Sequence, residues 1–219
     1  MTEKSRQQTK STKQRLLRAA IDVFGRYGYE GATTRMIATG ANVNIASIPY
    51  YYKGKEGLYR AAVSEVVTIV RSQIVQVQQE IATTDFSCDS GVGKARLLLE
   101  RLLENVVMFM VGSPEAVRVS RIILREQLCP SAAYDLIFKG FMELMLDSLA
   151  DLLVVLDPRQ DRKTAKLRGV ALMGQVIIFR VARETVVRAL EFDGYDPGEI
   201  AEIRKIILEH TRSVVNALG

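Results

Sequence analysis

The sequence predicts an all-α protein of about nine helices. Apolar residues recur at intervals of three and four along nearly the whole chain, and no segment shows the alternation typical of a strand. Several helix starts are marked chemically. Ser113-Pro114-Glu115 places proline at a first helical position, and Asp196-Pro197-Gly198-Glu199 combines a cap, a proline and a glutamate. With 48% hydrophobic residues among 219, the chain can bury a sizeable core.

The first predicted helix begins at Ser11 and ends at Gly28. Ser11 is a good N-cap, and Gln14 follows it three residues later. Apolar residues then occupy a single face, and the pattern stops at Gly28, a residue typical of helix C-termini. The spacing therefore predicts a helix with one buried stripe.

Two short helices are predicted next. Thr33 can cap the second helix, which ends near Ala41. Asn42 follows and is one of the few non-glycine residue types that tolerate a left-handed backbone. Asn44 can then cap a third helix that starts at Ile45. Two short helices joined by a tight turn predict a helix-turn-helix.

The remaining helices are longer. Their apolar faces and end signals place them at about 55–82, 93–111, 114–128, 131–156, 161–190 and 197–218. The first three helices of the chain form a separate head. We therefore predict two domains, residues 1–60 and residues 61–219.

Positive charge is concentrated in the head. Residues 1–60 hold 11 Lys and Arg against 4 Asp and Glu, a net charge of +7, whereas the remainder carries −2. A basic head on a near-neutral body is typical of a protein that binds nucleic acid through the head. A solvated surface excess would give the same totals.

The third helix is the candidate recognition helix, because the N-terminal part of the second helix of a helix-turn-helix enters the major groove. Helical periodicity directs Ile48 and Tyr52 inward and Tyr50 outward, and the spacing also assigns Tyr51 to the core. Phosphate contacts are expected from the start of the preceding helix and from the start of the fourth. The predicted DNA-binding residues are Thr33, Thr34, Arg35, Asn44, Ile45, Ala46, Ser47, Tyr50 and Lys55.

These residues resemble a known family. The run from Phe24 to Thr34, the segment Ala41-Asn42-Val43-Asn44-Ile45-Ala46-Ser47-Ile48-Pro49-Tyr50-Tyr51-Tyr52 and Lys55-Glu56-Gly57-Leu58 are similar to the N-terminal domain of TetR-like transcriptional regulators. Two positions depart from the usual pattern. Asn42 replaces the common turn glycine, and Pro49 stands where the family commonly has a phosphate-contacting tyrosine, so that contact is not expected at position 49.

The later part of the chain resembles the CecR-type subgroup of that family. The similarity lies in Arg125-Glu126-Gln127-Leu128 and in the segments around Tyr134, Gln175 and Phe179. The resemblance implies a helical domain that binds a small-molecule effector and dimerises through its last two helices, at about 161–190 and 197–218. Apolar residues over a wide arc of these helices agree with a dimer interface.

Candidates for the effector site are polar groups within helices and adaptable apolar residues beside them, because buried polar groups need partners. The predicted effector-binding residues are Arg121, Arg125, Gln127, Phe138, Met142, Gln175, Phe179 and Arg183. Glu126 and Arg180 are polar residues of the same kind.

Other classes of protein find little support. Residues 1–10 are charged and lack an apolar stretch, so we expect no secretory signal, and the apolar segment 169–179 is too short to span a bilayer. Cys88 and Cys129 stand alone, and His210 is the only histidine, so neither a metal cluster nor a catalytic triad can be assembled. We expect a cytoplasmic protein that is not an enzyme, with no metal or cofactor and no membrane partner.

The sequence thus predicts a homodimeric, ligand-responsive repressor. Its partners would be double-stranded operator DNA, read at recognition helices about 34 Å apart, and a small-molecule effector of unknown identity. Two alternatives remain open: a non-specific DNA-binding protein without effector control, and a small-molecule-modifying enzyme.

Overall fold

The computed structural model describes residues 3–218, and side chains from residue 11 onward. Over this range the chain is helical and contains no strand, which confirms the predicted all-α class. The helices are α1 (Glu3–Gly31), α2 (Thr34–Ala41), α3 (Ser47–Tyr52), α4 (Lys55–Ser72), α5 (Val75–Thr83), α6 (Gly91–Gly112), α7 (Pro114–Leu128), α8 (Tyr134–Ile137), α9 (Glu143–Leu156), α10 (Arg162–Val181), α11 (Arg183–Ala189) and α12 (Pro197–Asn216), with a π-helical turn at Phe138–Met142 between α8 and α9.

The first helix begins earlier than predicted. It already includes Glu3, so the expected start at Ser11 is wrong. Residues 3–10 are mostly straight-chain polar residues that favour helix, and extending an existing helix adds one hydrogen bond for each residue fixed. Gly28 has φ 73° and ψ 178°, and this non-helical geometry kinks the helix at the position where the sequence predicted its end.

Three of the long predicted helices are divided in the structure. The predicted helix at 55–82 is α4 and α5, with a break at Ile74, where φ is −121°. The predicted helix at 161–190 is α10 and α11, which meet at Ala182. The predicted helix at 131–156 holds the π-helical turn. The apolar repeat continues across each interruption, so periodicity alone could not reveal it.

The chain forms two compact units. One consists of Met1–Ile69 together with Arg118–Gly140, and the other consists of Val70–Val117 together with Phe141–Gly219. The first unit therefore combines the helix-turn-helix head with most of α7 and all of α8. The predicted boundary at residue 60 falls inside α4.

The core of the first unit is built around α1. Leu16 and Phe24 are fully buried on its inner face, together with Ile37 of α2 and Ile48 of α3. Phe24 makes an edge contact with Tyr59 of α4 at a centroid distance of 4.8 Å. These contacts fix the two short helices, which could not hold their positions by helix propensity alone.

The second unit packs α6 centrally against α9, α10 and α12. Leu102 and Leu103 of α6 are fully buried, as are Leu149 and Leu153 of α9 and Val176 of α10. The start of α12 carries the predicted capping box: the Asp196 carboxylate accepts from the Glu199 backbone N–H at 3.1 Å, and the Glu199 carboxylate accepts from the Asp196 N–H at 2.6 Å.

None of the helices described between residues 3 and 218 combines the length and the apolar character needed to cross a membrane.

Candidate functional site

The helix-turn-helix is formed by α2, α3 and the turn between them. The Thr33 side chain accepts a hydrogen bond from the Met36 backbone N–H at 3.2 Å and caps α2, as predicted. Asn42 ends that helix with φ 51° and ψ 55°, the left-handed conformation expected for it. The Val43 N–H then returns to the Ala38 carbonyl at 3.0 Å, which closes the turn.

The recognition helix α3 begins at Ser47, two residues later than the predicted start at Ile45. Pro49 explains the difference, because it has no N–H to donate to the Ile45 carbonyl. The preceding residues form a tight turn, in which the Asn44 side chain accepts from the Ala46 N–H at 2.8 Å. Pro49 thus lies in the first turn of a short helix, where its missing donor costs little.

The two faces of α3 are clearly separated. Ile48 is fully buried and Tyr52 is 7% exposed, as the periodicity predicted. The Tyr52 hydroxyl donates to the Lys13 carbonyl at 2.9 Å and fastens the end of α3 to α1. On the other face, Tyr50 is 78% exposed and Ile45 is 46% exposed. The predicted recognition surface is therefore open, on a helix whose inner face is fixed.

Tyr51 differs from the core position that the spacing indicated. It is only partly buried, and its ring contacts the Tyr50 ring edge-on at a centroid distance of 4.7 Å. Tyr51 thus supports the exposed tyrosine from the side. Ala46 is exposed and Ser47 is partly buried beside this pair.

The predicted phosphate contacts have different environments. Arg35 and Thr33 are exposed at the start of α2, and Thr34 is partly buried. Lys55, at the start of α4, lies 4.5 Å from the centroid of the Tyr29 ring, and its Nζ is 3.5 Å from the Glu30 carbonyl oxygen. Lys55 is therefore held near the N-terminus of α4 in advance of any phosphate.

Four predicted effector residues lie in the first unit, where they contact protein groups. The Arg125 guanidinium donates to the Arg26 carbonyl at 3.0 Å and lies beneath Gly28, where an added Cβ would be 2.8 Å from its Nη1. The Arg121 side chain packs against Gly25. Two further contacts lie close by: the Tyr134 hydroxyl is 3.4 Å from Gln127 Oε1, and the Tyr134 ring stacks on Phe138. These contacts give each of the four a structural role, and effector binding by them stays a prediction.

The other four predicted effector residues lie in the second unit. Gln175 donates to the Thr211 hydroxyl at 3.1 Å, and the Phe179 carbonyl accepts from the Tyr195 hydroxyl at 2.9 Å. Arg183 lies over the Tyr195 ring, 5.3 Å from its centroid. Met142 is partly buried at the end of the π-helical turn. The structure brings Phe179 and Arg183 to the same tyrosine, at the end of α10.

Each unit carries an open surface groove. The groove in the first unit has a volume of about 620 Å³ between α1 and α2, and Thr33 and Arg35 are among its lining residues. The groove in the second unit has a volume of about 470 Å³ and lies between the end of α6 and the start of α12. None of the eight predicted effector residues lines either groove.

A buried polar cluster in the first unit was missed by the sequence analysis. Glu126 is 3% exposed, and its carboxylate accepts from the Tyr59 hydroxyl and from the backbone N–H of Ser131 at 3.0 Å. Outside this cluster, a partly exposed ion pair joins Arg118 of α7 to Asp22 of α1 at 2.8 Å. Tyr59 and Glu126 are 67 residues apart in sequence and Asp22 and Arg118 are 96 apart, so no local signal could have revealed these two pairs.

Comparison with known proteins agrees with this architecture. Residues 95–218 match the family model described as HTH-type transcriptional dual regulator CecR, C-terminal domain, and residues 16–62 match the model described as bacterial regulatory proteins, tetR family. The two matches correspond to the two regions in which the sequence resembles this family.

Individual relatives extend the comparison. The chain is 29% identical over 208 residues to the HTH-type transcriptional dual regulator CecR of Shigella flexneri, which covers 94% of this chain and 92% of that protein. It is 30% identical to the HTH-type transcriptional regulator RutR of Escherichia coli strain K12 over 70 residues, which cover 32% of this chain and 33% of that protein. The fold is similar to that of AibR in a crystal structure with isovaleryl coenzyme A and operator DNA, with a TM-score of 0.66 at 14% identity over 90% of this chain and 96% of that chain. The chain therefore belongs to the TetR family of bacterial transcriptional regulators and carries the C-terminal domain of the CecR type.

Proposed function

We propose that this transcriptional regulator is a homodimeric repressor in the cytoplasm that binds a palindromic operator and is released by a small-molecule effector. The observation that carries the proposal is the separation of the two faces of α3. A fully buried Ile48 fixes the helix, while Tyr50 is 78% exposed on the opposite face. A short, rigid helix with an open polar and apolar face suits the major groove.

In this proposal, base edges are read by the turn and the start of α3. Ile45, Ala46 and Ser47 are small or apolar groups that can approach bases, including thymine methyl groups. Thr33, Thr34, Arg35, Tyr50 and Lys55 would contact phosphates and fix the register, since phosphate contacts position a protein without reading sequence. Asn44 would hold the turn through its bond to the Ala46 N–H.

The proposed dimer surface lies on α10 and α12. One face of α10 exposes Leu167, Val170, Ile178 and Val181 at 62%, 52%, 51% and 54%, and the exposed Gly174 in their midst has open space where a Cβ would stand. On α12, Ile206 and Val214 are 39% and 41% exposed. Such an apolar stripe favours burial against a second copy of the chain.

Control by an effector is proposed from the fold neighbour AibR, whose structure contains both isovaleryl coenzyme A and operator DNA. An effector must bind the DNA-free state more tightly than the DNA-bound state, and a coupling of about 1–3 kcal/mol is typical of such systems. The relatives are regulators, and we propose no catalytic activity.

The experiment is a gel-shift titration of the full-length protein against DNA from upstream of its own gene, in competition with random DNA. Tighter binding to the upstream DNA than to random DNA supports the proposal, and the affinity for the upstream DNA should fall about tenfold or more in Tyr50→Ala and stay unchanged in Leu97→Ala. Leu97 is an exposed residue of α6 and serves as the matched truncation. Equal affinity for upstream and random DNA would indicate a non-specific DNA-binding protein instead.

A further inference from the structure

Two arginines meet at the C-terminal end of α10. Arg180 is partly buried, and its Nε donates to the carbonyl of Met110 at the end of α6 at 2.6 Å. Arg183 follows across the break at Ala182 and lies over the Tyr195 ring. Burial lowers the pKa of the Arg180 guanidinium, and the positive charge of Arg183 lowers it further.

Negative charge near this pair is scarce. Arg183 Nη1 is 3.2 Å from a carboxylate oxygen of Glu184, whose side chain is 73% exposed to solvent. Among the residues that the structure describes, no carboxylate lies within ion-pair distance of Arg180. Of the carboxylates on residues that the structure describes, only the solvated Glu184 therefore pairs with either of these two arginines.

An anion bound from solution would stabilise this pair of arginines. A partly buried cation without a counterion loses hydration without regaining it in full, and two close guanidinium groups add repulsion. Arginine presents its donors in a planar fork that fits carboxylate and phosphate oxygens. Within the part of the chain that the structure describes, Arg180 donates only through Nε, to the Met110 carbonyl, and its two terminal nitrogens remain available.

The surroundings of the pair are apolar. Met110, Phe179 and Tyr195 pack against the hydrophobic core of the second unit and remain partly exposed. The Tyr195 hydroxyl already donates a hydrogen bond to the Phe179 carbonyl at 2.9 Å, so Tyr195 would contact a ligand through its ring. A ligand here would meet cations at one end and apolar surface beside them.

The position on α10 keeps this cluster away from the proposed dimer stripe. Val176 is fully buried, and Arg180 lies one helical turn further along the same side. Ile178 and Val181 project from the opposite side and are 51% and 54% exposed. Dimerisation through the stripe would therefore leave the arginine pair accessible.

We propose that Arg180 and Arg183 bind the oxyanion head, a carboxylate or a phosphate, of an amphipathic small molecule whose apolar part lies against Met110 and Phe179. This proposal rests on the proposed function, since it gives the chemical class of the effector. Arg180 supplies a partly buried positive charge, and Arg183 contacts the oxyanion from the side of Tyr195.

The proposal is tested by titration calorimetry of the full-length protein, without DNA, with three probes that share a hexyl chain: heptanoate, hexyl phosphate and hexanol. At least one of the two anions should bind about tenfold or more tightly than hexanol, because a charge-assisted hydrogen bond is worth at least that factor. The tighter anion identifies the head group. Binding of hexanol as tight as that of both anions, or no binding of either anion, overturns the proposal.

Variants locate the site. Arg183→Gln should weaken anion binding about tenfold or more, whereas Arg188→Gln, which removes the same charge from an exposed position on α11, should stay within about twofold. Arg180→Lys keeps the charge but loses the planar fork, and it should also weaken binding. Thermal unfolding verifies that each variant is folded. Wild-type anion affinity in both Arg183→Gln and Arg180→Lys overturns the assignment.

Operator binding is measured separately on the same proteins without a probe. Arg183→Gln should bind the operator as the wild type does, because the arginine pair lies outside the head. If Arg183→Gln loses anion binding and keeps operator binding, the result bears on the anion site alone. Absence of specific operator binding in the wild type would instead contradict the proposed function.

Discussion

The phenol hydroxyl of Tyr59 on α4 donates a hydrogen bond to the carboxylate of Glu126 on α7, and both side chains are almost completely buried. Ser131 completes the cluster with its backbone N–H at 3.0 Å and its hydroxyl at 2.8 Å from the same carboxylate. Burial and the bond to Glu126 raise the pKa of Tyr59, so its proton stays in place throughout the physiological range. The pair joins α7 to the helix that follows the recognition helix.

Removing the Tyr59 hydroxyl should destabilise the protein. In Tyr59→Phe the buried Glu126 carboxylate loses a donor, and leaving a buried polar group short of a partner costs about 1–3 kcal/mol. Urea unfolding measures this change. Tyr50→Phe removes a hydroxyl from an exposed ring and should leave the free energy of unfolding unchanged. Equal stability of Tyr59→Phe and the wild type would mean that the bond is not formed in solution.

Neutralising Lys55 should change the salt dependence of DNA binding. The Lys55 side chain is fixed beside Tyr29 at the start of α4, where a phosphate would be met. Lys55→Gln should weaken operator and random DNA about equally, and the slope of log affinity against log salt concentration should fall by about 1. Lys163→Gln, an exposed lysine at the start of α10, is the control and should keep the wild-type slope.

A charge in the α10 stripe should disrupt the dimer. Val170→Asp places two carboxylates at a symmetric interface, so sedimentation should show a monomer at concentrations where the wild type is dimeric. The control is Val92→Asp on α6, because Val92 is 51% exposed and Val170 is 52% exposed. The Val92→Asp protein should stay dimeric. A dimeric Val170→Asp protein would place the interface elsewhere.

The left-handed backbone conformation of Asn42 in the turn can be tested by two substitutions at that position. Asn42 has φ 51°, a conformation that glycine adopts freely and that a β-branched side chain resists. Asn42→Val should lower the free energy of unfolding by about 1–2 kcal/mol, and Asn42→Gly should preserve it within about 1 kcal/mol. Chemical unfolding of both variants checks this, and equal losses in the two would exclude a conformational cause.

Tyr52 should make stability depend on alkaline pH. Burial, with a smaller effect from Glu65, raises the pKa of Tyr52 to about 12. Because the folded pKa exceeds the unfolded value, the contribution is complete below about pH 10 and is lost as pH rises toward 12. The stability difference between the wild type and Tyr52→Phe should therefore shrink between about pH 10 and pH 12. The exposed Tyr50→Phe should show no such trend, and a constant difference for Tyr52→Phe would contradict the raised pKa.

Local signals predicted the fold of the head well. The Thr33 cap, the left-handed Asn42 and the inward face of Ile48 and Tyr52 each depend on neighbouring residues alone. The start of α3 was misplaced because the effect of Pro49 is felt four residues earlier, at the carbonyl that it cannot bond.

Features that depend on distant residues could not be predicted. Tyr59, the phenol partner of Glu126, lies 67 residues away, and the breaks at Ile74 and Ala182 leave the apolar repeat uninterrupted. For the effector site, residue type alone could not separate arginines that fasten α7 to α1 from arginines that lack a protein counterion. Arg125 belongs to the first kind and Arg180 to the second.

The discontinuous make-up of the first unit limits how this regulator can be recombined with others. Its compact unit draws on Arg118–Gly140 as well as on the N-terminal residues, and Glu126 contributes a buried carboxylate to it. A chimaera that transfers only residues 1–60 would separate Tyr59 from Glu126 and Asp22 from Arg118. Exchange of DNA specificity between relatives is therefore better made by grafting the exposed residues of α3 than by fusing whole heads to foreign bodies.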